Sequence, residues 1–293
     1  MLTALVVCRL AHFAATMLLF GASAFVWALA PAGLARELAA PVRRMIVAAF
    51  VVAALSGVAW LALEAAQMGE GWTDMLSPDV VGAVAFDTAF GRVWLCRLAL
   101  LPIVAAALAI VRPDRFGLVA LLAALLLASL GLIGHATMQT GPIGTLHRFN
   151  QAVHLLAAGA WLGSLAPLAL CLRRGDADAP RRADVAATLR GFSGLGHIAV
   201  ALVVATGVVN TALTLGAWPT DPASPYQRLL AAKIAIVAAM VAIALFNRCV
   251  LAPQIAMESR AALRALTIAC LVEIALGLVA LALVSLSATL APA

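Results

Sequence analysis

Eight stretches of this sequence, residues 3–30, 43–68, 90–111, 116–135, 147–172, 191–216, 226–251 and 262–290, are sparsely charged and 20 or more residues long. A helix needs about 20 apolar residues to cross a bilayer, and inside the hydrocarbon it must satisfy its own backbone hydrogen bonds. A chain divided this way is restricted to a bundle of transmembrane helices. With 65% hydrophobic and 11% charged residues, it lies far from the roughly 45–50% and about 25% of a soluble domain. The longest gaps, 69–89 and 173–190, exclude an ATPase, kinase or nucleic-acid module. The expectation is an all-α polytopic membrane protein of eight transmembrane helices, with its function in the helices and their rims.

The basic residues orient the bundle. Loops 31–44, 112–115, 173–190 and 248–264 hold thirteen arginines, among them Arg43, Arg44, Arg173, Arg174, Arg181 and Arg182. Arg9, Arg92, Arg97, Arg148, Arg228 and Lys233 lie toward the other side, near Glu70, Asp74, Asp79, Asp87 and Asp221. By the positive-inside rule the arginine-rich loops are cytoplasmic, and eight spans put both termini on the outer, extracytoplasmic side. The net charge of +6 thus reflects membrane flanks, and no nucleic-acid partner is expected. Trp72, Trp94, Trp218 and Tyr226 fall where an outer aromatic belt would lie. The first apolar run lacks a basic n-region and carries Arg9 and His12, so it reads as a helix and not as a cleaved leader. Cys8, Cys96, Cys171, Cys249 and Cys270 show no metal-type spacing, and each reads as a small buried hydrophobe.

The two halves repeat. His12 and Gly21 in the first span, and His154 and Gly163 in the fifth, are nine residues apart. Ser56-Gly57-Val58 in the second span matches Thr206-Gly207-Val208 in the sixth. Arg92 and Arg97 match Arg228 and Lys233 at a constant offset of 136 residues. An even number of spans per unit makes the repeats parallel, residues 1–140 and 141–293, related by an axis along the membrane normal. His12 and His154 then lie at equal depth, on the order of 10 Å below the outer surface. Gly57, Gly159, Gly163 and Gly207 suit close helix packing.

Three of the five histidines and a methionine gather around one short loop: His135, Met138, His147 and His154. Thioether favours Cu(I), imidazole accepts either copper oxidation state, and the scattered carboxylates argue against a calcium or magnesium cage. Met17, Met68 and Met75, on or near the same face, add further thioethers; the competing reading is ordinary, a solvated loop histidine and methionines that merely pack. His12 and His154 at matched depth also admit a haem b with two axial imidazoles, Arg97 and Lys233 pairing with its propionates. Against that stands a structural role, each histidine bonded to a neighbouring helix or to Glu64. Glu64 and Glu273 are intramembrane carboxylates suited to a relay or counter-ion role, with Glu64 expected to pair with Arg9 or Arg97. Asn210 is a further polar group within a span. His197 reads as interfacial. No GxSxG, HExxH or phosphate-binding loop is present, so no enzyme is expected.

The segments R-L-A-H-F from Arg9, T-A-F-G-R-V-W-L-C-R-L from Thr88, G-H-A-T from Gly134, H-L-L-A-A-G-A-W-L-G from His154, A-T-G-V-V-N from Ala205, Y-Q-R-L-L-A-A-K from Tyr226 and F-N-R-C-V-L-A-P from Phe246 resemble, in order and spacing, the CopD family of inner-membrane copper-resistance and copper-uptake proteins. The resemblance covers essentially the whole chain. It implies a helical bundle that handles copper at the periplasmic face and moves it across the inner membrane, beside a periplasmic copper carrier protein. The first- and fifth-span motifs are also similar to those of a small membrane family that oxidises protoporphyrinogen and binds haem. On this reading copper is captured by His135, Met138 and His147, passed to His154 and His12, and led past Glu64, Asn210 and Glu273.

Overall fold

The computed structural model describes residues 1–112, 116–175, 179–255 and 260–292, so part of the arginine-rich loops 112–115, 173–190 and 248–264 lies outside the described residues. The described residues form helices and no strand: α1 (Leu2–Ala28), α2 (Ala32–Met68), α3 (Pro78–Asp87), α4 (Ala89–Ile110), α5 (Gly117–Ala128), α6 (Gly141–Leu172), α7 (Ala179–Leu215), α8 (Pro225–Phe246), α9 (Ala252–Ile255) and α10 (Arg260–Ser287). Seven helical stretches are long and apolar enough to cross a membrane, α8 counting together with its continuation to Gln254, and Gly117–Leu132 is a shorter apolar eighth. The protein is an all-α polytopic membrane protein.

The fourth span is shorter than its apolar run suggests, and Arg97 supplies the reason. Its guanidinium donates to the Leu126 carbonyl and to Ser129 Oγ, and Ser129 Oγ donates to the same carbonyl at 2.9 Å. With that carbonyl engaged by side chains, the chain tightens into 3₁₀ turns at Ser129–Leu132 and Gly134–Thr137. Gly134, at φ +71°, provides the left-handed step between them.

Most of the expected loop 31–44, and the expected loop 173–190 from Ala179 onward, are helical instead. α2 begins at Ala32 and runs through Pro41, and α7 begins at Ala179. Arg181 of α7 pairs with Glu37 of α2 and, at 3.3 Å, with Asp184 one turn on, so these extensions are tied to each other. Arg43 donates to the Leu108 carbonyl at 3.0 Å, near the end of α4, where the helix dipole favours a cation. Past α8, the segment Asn247–Leu251 is a π turn. Pro253 follows it and has no N–H to give, which accounts for the slipped ladder.

α1 and α6 form the centre. A side chain at Gly21 would enter the Gly163 backbone, and one at Gly163 would enter the Met17 carbonyl, so the two helices touch backbone to backbone. Around this contact the helices are placed alike in each half: α2 and α5 pack on α1 as α7 and α10 pack on α6. The fourth member differs. α4 packs on both α2 and α5, whereas α8 packs chiefly on α10. We call the end of the bundle bearing His135 the histidine end and the opposite one the arginine end.

Candidate functional site

At the histidine end, the turn Gly134–Thr137 holds His135 half-buried among groups from several helices. Its ring meets Tyr226 of α8 edge-on, centroids 5.7 Å apart, and the Ser287 backbone, Arg9 and His147 lie within electrostatic reach. Burial pushes its pKa below the ordinary histidine value; the hydrogen bond to the Ser287 backbone opposes this and Arg9 reinforces it. Nε2 of His135 is buried with no hydrogen-bond partner. Met138, on the following turn, is exposed.

His147 is buried and oriented by Gln139. The Gln139 amide nitrogen donates to the Leu213 carbonyl at 2.6 Å, which turns its oxygen toward His147 Nδ1 at 2.7 Å. Nδ1 therefore carries the proton and Nε2 keeps its lone pair. Histidine ligands are commonly fixed this way by an outer partner. The rim thus offers two imidazole nitrogens and a thioether. Among the described residues no three His, Cys, Asp or Glu side chains gather as a metal cage.

Below the rim the two repeated histidines are held alike on one side and differently on the other. Ser56 Oγ donates to the Val52 carbonyl at 2.5 Å and so accepts from His12 Nδ1 at 2.9 Å. Thr206 Oγ1 donates to the Leu202 carbonyl and accepts from His154 Nδ1 at 2.9 Å. The adjoining glycines leave matching room: a Cβ at Gly57 or Gly207 would stand 3.5 or 3.6 Å from the Cε1 of His12 or His154. Cys8 Sγ donates to the Ser56 carbonyl at 3.2 Å where Asn150 Nδ2 donates to the Thr206 carbonyl at 2.9 Å.

The remaining nitrogen separates the two. His12 Nε2 lies 2.6 Å from Arg97 Nη2 and accepts from it. Trp60 and Trp94 close over the ring at 5.6 and 5.4 Å, with Arg97 over Trp94 and Arg9 over Trp60. Glu64 accepts from Arg9 at 3.0 Å and from Trp60 Nε1 at 2.9 Å. At the second-half positions of Trp60 and Trp94 stand Asn210 and Leu230. Asn210 is bonded to Asn150 and Gln151. No hydrogen bond reaches His154 Nε2 among the described residues, and Lys233 of α8 acts on the ring through charge alone.

This geometry corrects several expectations. His12 has no lone pair left for a metal, because Arg97 occupies it. The rings of His12 and His154 bond to separate helices, His12 to Ser56 of α2 and Arg97 of α4, and His154 to Thr206 of α7. Glu64 pairs with Arg9 at 3.0 Å, the ion pair expected of it. Trp94 is no belt residue: it is fully buried and donates to the Gly57 carbonyl at 2.7 Å. Met17 is buried against Gly159. Cys171 and Cys270 are buried and Cys8 half-buried, but Cys96 and Cys249 are exposed. His197 is exposed beside Arg248.

His147, His154 and Trp161 recur at seven-residue intervals along α6, which places them on one face with only about 20° of drift per step and roughly 10 Å between steps. Trp161 approaches Glu273 of α10, a buried carboxyl whose Oε1 accepts from Asn247 Nδ2 at 3.0 Å. A polar line thus runs from rim to mid-bundle through the second half. Gln139, Thr206 and Trp161 were not singled out as site residues from sequence. The seven-residue spacing was a readable signal for Trp161, and the Ser-Gly/Thr-Gly repeat for Thr206. The contact of Gln139 with Leu213, 74 residues away, left none.

Residues 1–145 match the family model for the copper resistance protein D-like N-terminal domain, and residues 186–287 match that for copper resistance protein D. The chain is 36% identical over 287 residues to inner membrane protein YebZ of Escherichia coli strain K12, covering 97% of each. The chain belongs to the copper resistance protein D family. Copper resistance protein D of Pseudomonas syringae pv. tomato, another relative, is 30% identical over 251 residues, covering 84% of this chain and 81% of that protein. Copper transport protein CutJ of Bacillus subtilis strain 168 is 27% identical over 187 residues, 61% of this chain and 34% of that one. No solved structure matches.

Proposed function

We propose that this protein captures copper at the periplasmic end of an inner-membrane bundle and moves it toward the cytoplasm, as a carrier and not as an enzyme. His135, Met138 and His147 take the ion at the rim, and His154 receives it one helical layer down. The observation that carries this reading is the uncommitted Nε2 of His154, aligned on α6 below His147, in a chain whose relatives are named for copper resistance and copper transport. Soft and borderline donors of these types suit copper in either oxidation state.

The thirteen arginines support a cytoplasmic arginine end and periplasmic termini. The exposed Met138 makes the rim accessible to a periplasmic copper carrier protein. Lys233, near His154, makes the ion's stay there brief, since transport requires a stop that binds weakly enough to release.

The test is copper accumulation in cells producing His154→Ala at wild-type membrane abundance. A severalfold loss is expected. Unchanged accumulation would contradict the reading.

A further inference from the structure

Glu273 lies mid-way along α10, 2% exposed. Its Oε1 accepts from Asn247 Nδ2, while its Oε2 and the Oδ1 of the same asparagine are both buried and both without a partner. Neither acceptor has a donor within hydrogen-bond geometry, although the Trp161 indole stands close to the carboxyl. A proton on Oε2 would supply the missing donor: an acid donating to Asn247 Oδ1 as the amide donates to Oε1 would leave all four atoms satisfied.

The surroundings agree. α1, α6, α8, α9 and the π turn pack on α10. From α6 comes Trp161, from the π turn Asn247, and from α10 itself Cys270, with Cys171 of α6 behind it. No lysine, arginine or histidine among the described residues acts on the carboxyl. An ionised carboxylate in such a place lacks a counter-charge, and burial without one is strongly unfavourable.

The geometry points to Glu273 as a cation–proton exchange group: it holds a proton when the route is empty and releases it when a monovalent copper ion arrives from His154. This inference rests on the copper route proposed above. The exchange balances, one Cu(I) in and one proton out, with no change of oxidation state. The carboxylate left behind offsets the ion's charge in the middle of the bundle, and re-protonation as the ion departs restores the pair with Asn247.

The full chain is reconstituted in liposomes containing a pH-sensitive dye, with the membrane potential clamped by potassium and valinomycin, and Cu(I) is added outside under anaerobic conditions. Wild-type protein is expected to take up copper while the lumen becomes more alkaline. Glu273→Gln keeps an amide able to pair with Asn247, so a monodisperse protein that still binds Cu(I) is expected, with uptake at least tenfold slower and no pH change. Wild-type uptake without a pH change, or unchanged coupled uptake by Glu273→Gln, would overturn the exchange and leave the copper route standing. No wild-type uptake above that of empty liposomes would overturn the route and the exchange together.

Discussion

Arg97 donates to His12 Nε2 across 2.6 Å, and through this bond a buried guanidinium and a buried imidazole hold α1 to α4. The same guanidinium reaches Leu126 and Ser129 of the fourth apolar segment, so one side chain ties together three elements of the first half. Removing the imidazole in His12→Ala strands a charged donor and is expected to destabilise the fold by about 1.5–3 kcal/mol. A lowered midpoint for loss of the monodisperse species on heating checks this.

The contact between halves makes a sharper demand on size. A methyl group at Gly21 or Gly163 would enter backbone atoms of the opposing helix, whereas one at Gly194 meets nothing within 4 Å. Gly21→Ala is expected to cost about 2 kcal/mol or more, the range of core overpacking, while Gly194→Ala leaves the heating midpoint at or slightly above wild type.

Gln139 sets the His147 tautomer from outside any ligand set. Gln139→Ala frees the ring to turn and to move its proton, and an outer partner of this kind is worth roughly 10–100-fold in metal affinity. Competition with a Cu(I) chelator should show a loss of that order with the fold intact.

His135 predicts a pH dependence. Its folded-state pKa lies below the ordinary value of 6.5, so the unfolded chain takes up a proton that the folded protein refuses. Stability is therefore flat above about pH 6.5 and falls as pH drops below it, by at most about 1.4 kcal/mol per unit, until the folded-state value is passed. His135→Gln should flatten that slope in heating midpoints recorded from pH 7.5 to 5.

The helices were legible because a bilayer leaves a chain few choices: runs of 20 apolar residues become spans, and seven of the eight do so at full length. The eighth is curtailed by Arg97, whose reach to Leu126 depends on tertiary placement that no run of residues records. The helical extensions around Arg36 and Arg181 look like loops in sequence because they are charged, although charged residues continue a helix readily once it leaves the hydrocarbon. His12 and His154 were found by their matching registers. What sequence could not convey is that Ser56 and Thr206 hold them alike while Arg97 closes one and Lys233 makes no hydrogen bond to the other, a difference between an arginine and a lysine at equivalent positions.

That difference is the centre of the account, and copper uptake by reconstituted His154→Ala and His12→Ala, each normalised to the amount of folded protein, tests it most directly. His154→Ala is predicted to lose uptake tenfold or more, and His12→Ala to retain it per folded molecule while melting earlier. Equal losses in both variants, or full uptake by His154→Ala, would contradict it.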